Sequence, residues 1–303
     1  WVATRDGLLL REPGGSFSVY RADPADLHSL GDNDVLSIFE DRSGVIWFGT
    51  RAGGAARFNP RTWAFGLVKP EPDNPAGLAN GYVTSFSEDA RGTLWVGTMG
   101  GGLHEVDRDT GRMRHFGRGD SGLTDDRVMA LLHDHLDRLW VGTMDGGLHR
   151  FDPLRRRFDL FQSDATRPGS LSAKGVMALL EDRRGTLWVG TFGGGLNRLD
   201  RDSGAFTVFR HESDDPASLS RDVVTALAED STGVVWVGTE GGGLNRFDAS
   251  RGQFTHFVHD PADSGSIADD TIYSLYVDSG GTLWIGSRSG LSRLDPGPGK
   301  PKF

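Results

Sequence analysis

A short pattern that begins with tryptophan recurs seven times along the chain at nearly constant spacing. Each copy reads Trp, an apolar residue, Gly or Ala, and Thr or Ser. The copies begin at Trp1, Trp47, Trp95, Trp140, Trp188, Trp236 and Trp284, and only Trp63 lies outside the series. Consecutive copies are 45 to 48 residues apart. A regular period of this length indicates an array in which one small structural unit is repeated.

Each period contains four short runs with β-strand composition, which we name A to D. Between residues 223 and 260 they are VVTALAED, VVWVGT, GGLNRFD and FTHFVHD. Run A is apolar at almost every position, as expected for a strand buried on both faces, and run B carries the Trp. An Asp-x-x-Gly segment such as Asp41 to Gly44 joins A to B, which suits a hairpin turn with Gly at positive φ. The predicted fold class is therefore an all-β β-propeller of about seven four-stranded blades.

The chain begins and ends in the middle of a unit. Residues 1–30 supply runs B, C and D, and residues 271–295 supply A, B and C. We therefore expect the first and last blades to be incomplete, and expect sequence before residue 1 to belong to the native fold. Residues 1–295 are predicted to form a single domain, with 296–303 as a tail or the start of a linker or outer strand.

The repeated Trp residues have a structural use. A Trp side chain can bury roughly 150–250 Å² between adjacent sheets. At about 25 cal/mol per Å² this contributes at most about 4–6 kcal/mol per blade. We predict that all seven lie on the second strand of their blade and pack between neighbouring blades.

Composition excludes several classes of function. The net charge of −9 and the pI near 5.5 argue against nucleic acid or an anionic membrane surface as the main partner. The absence of Cys excludes disulfides, Cys-zinc sites and thiol catalysis. The Gly-Gly-Gly-Leu segments lack the Lys-Ser/Thr and the following helix of a phosphate-binding loop, so they predict tight turns and no nucleotide cofactor.

The sequence SLSRDVVTALAEDSTGVVWVGTEGGGLNRFD at 218–248 resembles a known family. It is echoed at 170–200 and more weakly at 121–152, 78–107 and 266–295. It is similar to the two-component regulator propeller repeats of the periplasmic sensor regions of bacterial hybrid histidine kinases and related membrane signalling proteins. The resemblance implies a periplasmic ligand-sensing module whose partners are further domains of the same protein and a homodimer partner, and whose membrane segments and output domain lie outside this segment.

Candidate ligand-binding residues are those at which the repeat stops repeating. Propellers usually bind ligands at one mouth of the central channel, which the B-to-C and D-to-A loops surround. The residue after each Gly-Thr differs from unit to unit, and the series is Arg5, Arg51, Met99, Met144, Phe192, Glu240 and Arg288. In a closed ring the three Arg occupy consecutive blades, which predicts a cationic arc for a carboxylate and an apolar arc for a sugar or apolar face. The expected ligand is a small molecule or an oligosaccharide, with acidic glycan fragments among the candidates. The alternative is solvated Arg and ordinary apolar packing.

The residues just before strand A vary in the same way. They are Asn33, Asn80, Asp125, Lys174, Arg221 and Asp269. Polar residues at a channel entrance can contact a ligand, and they can equally be turn residues.

Metal sites are not expected. The segments DRDTG at 107–111 and DRDSG at 200–204 open like calcium loops, but Arg118 and His211 stand where the final Glu ligand would be required. We interpret both as C-to-D hairpin turns. His133 and His135 share a strand face without an identifiable third ligand, so no zinc site is predicted.

Other functions remain open at this stage. Asp-x-x-Gly-x-x-Trp resembles the Asp-box of sialidases, whose chemistry also needs a Tyr nucleophile and a Glu base. Among the four Tyr, Tyr82 beside Asn80 is the plausible one. We expect a sensor without enzymatic activity of its own. A protein-interaction scaffold is the alternative, and a propeller glycosidase or lyase is less favoured.

Overall fold

The computed structural model describes residues 1–26, 28–62, 64–71, 73–108, 110–119, 121–295 and 303. These residues form 26 β-strands. Within the described part of the chain no helix is long and apolar enough to cross a membrane. The chain divides into two compact units, Trp1–Leu160 and Phe161–Phe303, which we describe in turn.

The first unit contains four antiparallel sheets, each made of consecutive strands in sequence order. Sheet 1 has the strands β1 (Val2–Thr4), β2 (Gly7–Arg11) and β3 (Phe17–Tyr20). Sheet 2 has β4 (Val35–Glu40), β5 (Ile46–Thr50), β6 (Ala55–Asn59) and β7 (Ala64–Val68). Sheet 3 has β8 (Val83–Glu88), β9 (Leu94–Thr98), β10 (Leu103–Val106) and β11 (Met113–Phe116). Sheet 4 has β12 (Val128–His133), β13 (Leu139–Thr143), β14 (Leu148–Asp152) and β15 (Arg157–Phe161).

The second unit contains three sheets of the same construction. Sheet 5 has β16 (Val176–Glu181), β17 (Leu187–Thr191), β18 (Leu196–Leu199) and β19 (Phe206–Phe209). Sheet 6 has β20 (Val224–Glu229), β21 (Val235–Thr239), β22 (Leu244–Asp248) and β23 (Gln253–Phe257). Sheet 7 has β24 (Ile272–Val277), β25 (Leu283–Ser287) and β26 (Gly290–Leu294). The seven sheets are the blades of a β-propeller, which confirms the fold class predicted from the Trp period.

The two end sheets have three described strands each, as expected from the strand count. Sheet 1 lacks strand A, and sheet 7 lacks strand D among the described residues. Phe303 nevertheless donates its backbone N–H to the Gly265 carbonyl at 3.0 Å. Phe254, near the start of the outer strand of sheet 6, makes the same kind of bond to Ala217 at 2.7 Å. Phe303 thus takes the place where an outer strand begins, and the rest of the predicted tail lies outside the described residues.

The core lies between neighbouring sheets, and the repeated Trp residues are part of it. Trp47 packs with Phe86 and Leu94 of the next sheet, and Trp236 with Ile272 of the next sheet. Six of the seven lie on strand B, and Trp1 directly precedes it. Those from Trp47 to Trp236 are 1–6% exposed, whereas Trp1 and Trp284, in the end sheets, are half-buried. Trp63, the one Trp that does not belong to the repeat, lies outside the described residues.

The Gly of the Trp-x-Gly-Thr pattern lets neighbouring sheets approach each other at Gly49, Gly97, Gly190 and Gly238. A Cβ on Gly97 would lie 2.6 Å from the Cγ1 atom of Val128, which belongs to the next sheet, and 2.5 Å from Ser85 Oγ. No real side chain tolerates such distances. The Gly at this position of the repeat is therefore a packing requirement of the sheets.

Candidate functional site

The turn that precedes each repeat Trp holds the indole in place. In sheet 6, Asp230 Oδ1 accepts the backbone N–H of Thr232 at 2.8 Å and of Val234 at 3.2 Å, while Oδ2 accepts the Trp236 indole N–H at 2.8 Å. Burial alone would raise the pKa of Asp230, but these bonds hold it below its ordinary value. The same Asp–indole bond recurs at Trp47, Trp140, Trp188 and Trp284. The segment that resembles an Asp-box is therefore a structural hairpin that holds the Trp side chain.

The B-to-C and D-to-A loops lie at one edge of every sheet, which we call the rim. The residue after strand B donates its N–H to the carbonyl of the residue just before strand A in the same sheet. The bonded pairs are Arg51–Asp34, Met99–Tyr82, Met144–Arg127, Phe192–Gly175, Glu240–Val223 and Arg288–Thr271, with N–O distances of 2.8–3.0 Å. From sheet 2 onward, each residue predicted for ligand binding therefore lies at the same edge of its sheet as the first residue of strand A.

The rim loops are closed by hydrogen bonds within each loop. Thr191 Oγ1 donates to the Gly195 carbonyl at 2.8 Å, and the corresponding Thr does so in sheets 2, 3, 4 and 6. Gly195 has a φ of +77°, and a Cβ there would lie 2.2 Å from the Phe209 carbonyl oxygen. This confirms that the Gly-rich segments are tight turns.

Buried polar side chains on strand C accept hydrogen bonds from the backbone of the D-to-A loops. His104 Nε2 accepts the Ala79 N–H at 3.0 Å, and His149 Nε2 accepts the Thr124 N–H at 3.3 Å. Asn197, Asn245 and Ser292 make the equivalent bond in sheets 5 to 7. Burial lowers the pKa of His104 and of His149 to about 4 in each case, so both rings are neutral at pH 7.

In the first unit the structure surrounds the predicted Arg51 with protein partners. Arg51 forms an ion pair with Asp34, donates to the Tyr82 hydroxyl at 3.2 Å, and stacks over that ring at 5.1 Å. The hydrogen bond that Arg51 donates to Asp34 raises the pKa of Arg51. Arg5 is exposed, and Met99 and Met144 are half-buried. Arg51 is thus already engaged by Asp34 and Tyr82, although its side chain is 46% exposed, so a ligand would compete with Asp34 for it.

Sequence reasoning missed Arg127, which lies at the same edge. It forms a fork with Asp125 at 3.0 Å and contacts Asp145 on the following B-to-C loop. Its backbone also bridges to Met99 of the preceding sheet. Burial alone would raise the pKa of Asp125, but the bonds from Arg127 hold it below its ordinary value. The only sequence signal was the Asp-x-Arg spacing before strand A, which local propensity cannot distinguish from a turn.

In the second unit the predicted residues are more open. The Phe192 side chain is 53% exposed, and Glu240 and Arg288 are also exposed. Phe192 is held between two D-to-A loops, because its N–H bonds to Gly175 at 2.8 Å and its backbone bridges to Val223. Lys174 and Arg221 are exposed on those two loops.

Several of the residues before strand A act as turn residues. The side chains of Asn80, Asp125 and Asp269 each accept the N–H two residues further on, at 2.7, 3.1 and 2.7 Å. Asn33 instead accepts the Ala22 N–H at 2.7 Å. These bonds favour the structural alternative for these four positions.

The described residues contain no group of three or more potential metal ligands. The two Asp-x-Asp-x-Gly segments are C-to-D hairpins, with Gly111 bonded to the Asp107 carbonyl and Gly204 to that of Asp200, each at 2.8 Å. His133 is bonded to Ser87 at 2.9 Å.

Two cavities lie beside the sheets of the first unit. One of about 650 Å³ is lined by residues of sheets 2 and 3, among them Trp47, Arg57 and Arg108. The other, of about 1200 Å³, is lined by the A-to-B turn, strand C and strand D of sheet 3 and by residues 74–77.

Comparisons with known proteins agree with this description. The two-component regulator propeller repeat matches residues 29–52, 77–100, 170–193, 218–241 and 266–289. The structure is similar to the extracellular domain of a protein described as a hybrid two-component system from B. thetaiotaomicron, with a TM-score of 0.81 and 21% identity over 96% of this chain and 37% of that one. A similar domain of a one-component system from the same organism gives 0.71 and 22%, over 96% and 38%. This chain thus spans little more than a third of those domains.

The fold is also shared with an enzyme. Virginiamycin B lyase from Staphylococcus aureus is similar with a TM-score of 0.69 and 16% identity, over 95% of this chain and 86% of that one. No curated protein is a significant sequence match. The repeat matches occur in both units, so five segments of this chain match the two-component regulator propeller repeat.

Proposed function

We propose that this chain is an extracytoplasmic, periplasmic ligand-sensing module of a bacterial signal-transduction protein. The likeness to extracellular domains of two-component systems supports this location and role. Its ligand is a small molecule or an oligosaccharide, bound at the rim and not turned over. Its other partners are further domains of the same protein and a second copy of it, and nucleic acid is not among them.

The contrast between framework and rim is the observation that supports this proposal. Strand B reads Trp-Val/Phe-Gly-Thr in sheets 2 to 6 and is buried at every position there. The very next residue is Arg, Met, Met, Phe or Glu in those sheets, and it is exposed or half-buried. Variation at an accessible edge directly after a repeated, buried strand is typical of a binding face.

The rim residues have complementary chemistry. Arg5 and Arg288 present guanidinium groups that can hold a carboxylate, and Arg51 can do so by exchanging Asp34. Met99, Met144 and Phe192 offer apolar or aromatic surface for a sugar face. Glu240 can accept hydrogen bonds from hydroxyl groups.

Calorimetric titration with tetragalacturonate, and with a neutral tetrasaccharide as comparison, tests the proposal. We expect Arg288→Ala to weaken binding of the acidic ligand by about 10- to 150-fold, because one charged hydrogen bond contributes about 1.5–3 kcal/mol. The loss should shrink at high salt. The control is Arg184→Ala, which removes an exposed Arg from an A-to-B turn.

Two results would contradict the sensor proposal. One is equal affinity of the wild type, Arg288→Ala and Phe192→Ala for every saccharide tested. The other is new products in the titrated mixture, detected by mass spectrometry, which would favour an enzyme of the kind that the lyase similarity represents.

A further inference from the structure

The larger cavity of the first unit lies along strands C and D of sheet 3 and reaches the A-to-B and C-to-D turns of that sheet. Its wall includes Arg91 of the A-to-B turn, Arg112 just before strand D, and Arg114 and His115 on strand D. Asn74 and Gly77 of the D-to-A connection line it as well. In an antiparallel sheet the A-to-B and C-to-D turns lie at the end remote from the B-to-C loops. We call this cavity the basic groove.

Three of the arginines in the basic groove are available to a ligand. Arg91 and Arg112 form no ion pair within 4.0 Å with any described carboxylate, and both are exposed. Arg114, with a side chain 61% exposed, reaches Glu105 only at 3.9 Å. Arg108 differs, because it is held by Asp41 at 3.2 Å and Glu88 at 3.0 Å and belongs to the framework.

The carboxylates that line the groove are already engaged. Glu105 forms a close ion pair with Arg156 at 2.6 Å. Asp107 accepts the Thr110 N–H at 3.1 Å, which caps the C-to-D turn. The groove therefore keeps positive charge although the chain as a whole carries −9.

The same positions are not cationic throughout the repeat. Arg112 and Arg114 correspond to Ala205 and Thr207 in sheet 5, and to Gln253 and Thr255 in sheet 6. The fold therefore does not require arginine at these positions. Arg91 and Arg112, which pair with no described carboxylate, and Arg114, which reaches Glu105 only at 3.9 Å, are therefore open to an anionic ligand.

We propose that the basic groove is a second binding site and that it takes an anionic oligosaccharide. Arg91, Arg112 and Arg114 come from two turns and a strand, so they suit several carboxylates or sulfates along one chain. Asn74 and Thr93 add neutral hydrogen-bonding groups of the kind that sugar hydroxyls use. The described lining contains no Phe, Tyr or Trp on which a nucleobase could stack. The volume of about 1200 Å³ is ample for a short oligosaccharide.

The test is calorimetric titration of the whole chain with tetragalacturonate at low and high salt. Wild type should bind it, and the double variant Arg112→Gln/Arg114→Gln should lose at least about tenfold in affinity at this site. The matched control is Arg184→Gln, which changes the residue of sheet 5 that corresponds to Arg91 and should leave affinity unchanged. Both changed side chains of the double variant are exposed, so the thermal midpoint should stay at the wild-type value and exclude misfolding as the cause.

Comparison with Arg288→Gln separates this inference from the proposed rim function. If only Arg288→Gln loses affinity for tetragalacturonate, the proposal of a site in the basic groove is wrong and the rim proposal is supported. If only the double variant loses affinity, the result supports binding in the basic groove and contradicts binding at the rim. Tighter binding of a hexa-aspartate peptide than of the saccharide, lost in the same double variant, would overturn the assignment to an oligosaccharide.

Discussion

At the scale of single residues, the repeat is defined by one carboxylate that performs two tasks. The Asp of each A-to-B turn caps backbone N–H groups with one oxygen and fixes an indole with the other. Sheet 3 is the exception. Asp89 caps Arg91 and Thr93 at 2.9 and 2.7 Å, but the Trp95 indole N–H is buried with no hydrogen-bond partner in the described structure. The two tasks can therefore be separated experimentally.

Asp230→Asn should destabilise the protein more than Asp89→Asn. An Asn keeps the oxygen that caps the turn, but in sheet 6 it turns an amide N–H₂ toward the Trp236 N–H, which loses its acceptor. We expect a loss of about 1–3 kcal/mol in the free energy of unfolding for Asp230→Asn. Asp89→Asn, which has no indole bond to lose, should cost less. Urea denaturation followed by Trp fluorescence measures both, and equal losses would show that the indole bond contributes little.

At the scale of elements, the strands are held in register by short turns in which individual glycines have different duties. In the B-to-C loop of sheet 5, Gly193 and Gly195 have φ values of +82° and +77°. Only Gly195 also faces a close backbone oxygen, because nothing lies within 4 Å of a Cβ placed on Gly193. In this loop Gly193 is needed only for its positive φ. Gly195 is needed for its positive φ and also because a Cβ would collide with the backbone.

Gly195→Ala should destabilise sheet 5 much more than Gly193→Ala. At Gly193 an alanine meets only the cost of a left-handed conformation, about 1–2 kcal/mol. At Gly195 the backbone of Phe209 must move as well, so we expect a loss clearly above that value and displaced amide signals along strands C and D of sheet 5. Similar unfolding free energies for the two variants would contradict the steric argument.

At the scale of the whole molecule, stability depends on pH through two buried histidines. The folded-state pKa of His104 and of His149 is about 4, below the unfolded value near 6.5. As pH falls through this interval the unfolded chain takes up protons that the folded protein does not, so the folded state loses stability. Each histidine can account for a loss of about 3 kcal/mol by the time the pH is below 4.

The double variant His104→Asn/His149→Asn should be less sensitive to acid than the wild type. Asn occupies the equivalent strand-C position in sheets 5 and 6, where it keeps the tether to the D-to-A loop. Thermal midpoints recorded between pH 7 and pH 4 should fall less steeply for the variant. Parallel profiles for the two proteins would show that these histidines do not govern the acid response.

The sequence by itself determined the repeat, the strand order, the three described strands of each end sheet and the structural role of the Trp residues. These features follow from a local sequence pattern that occurs seven times, so the interpretation of one copy can be compared with the other six. Only the tertiary structure decided which charges are free. Arg51 is paired with Asp34, and Arg127 with two carboxylates, whereas Arg112 pairs with no described carboxylate. Ion pairing depends on residues brought together from separate loops and sheets, and no spacing along the chain records that distance.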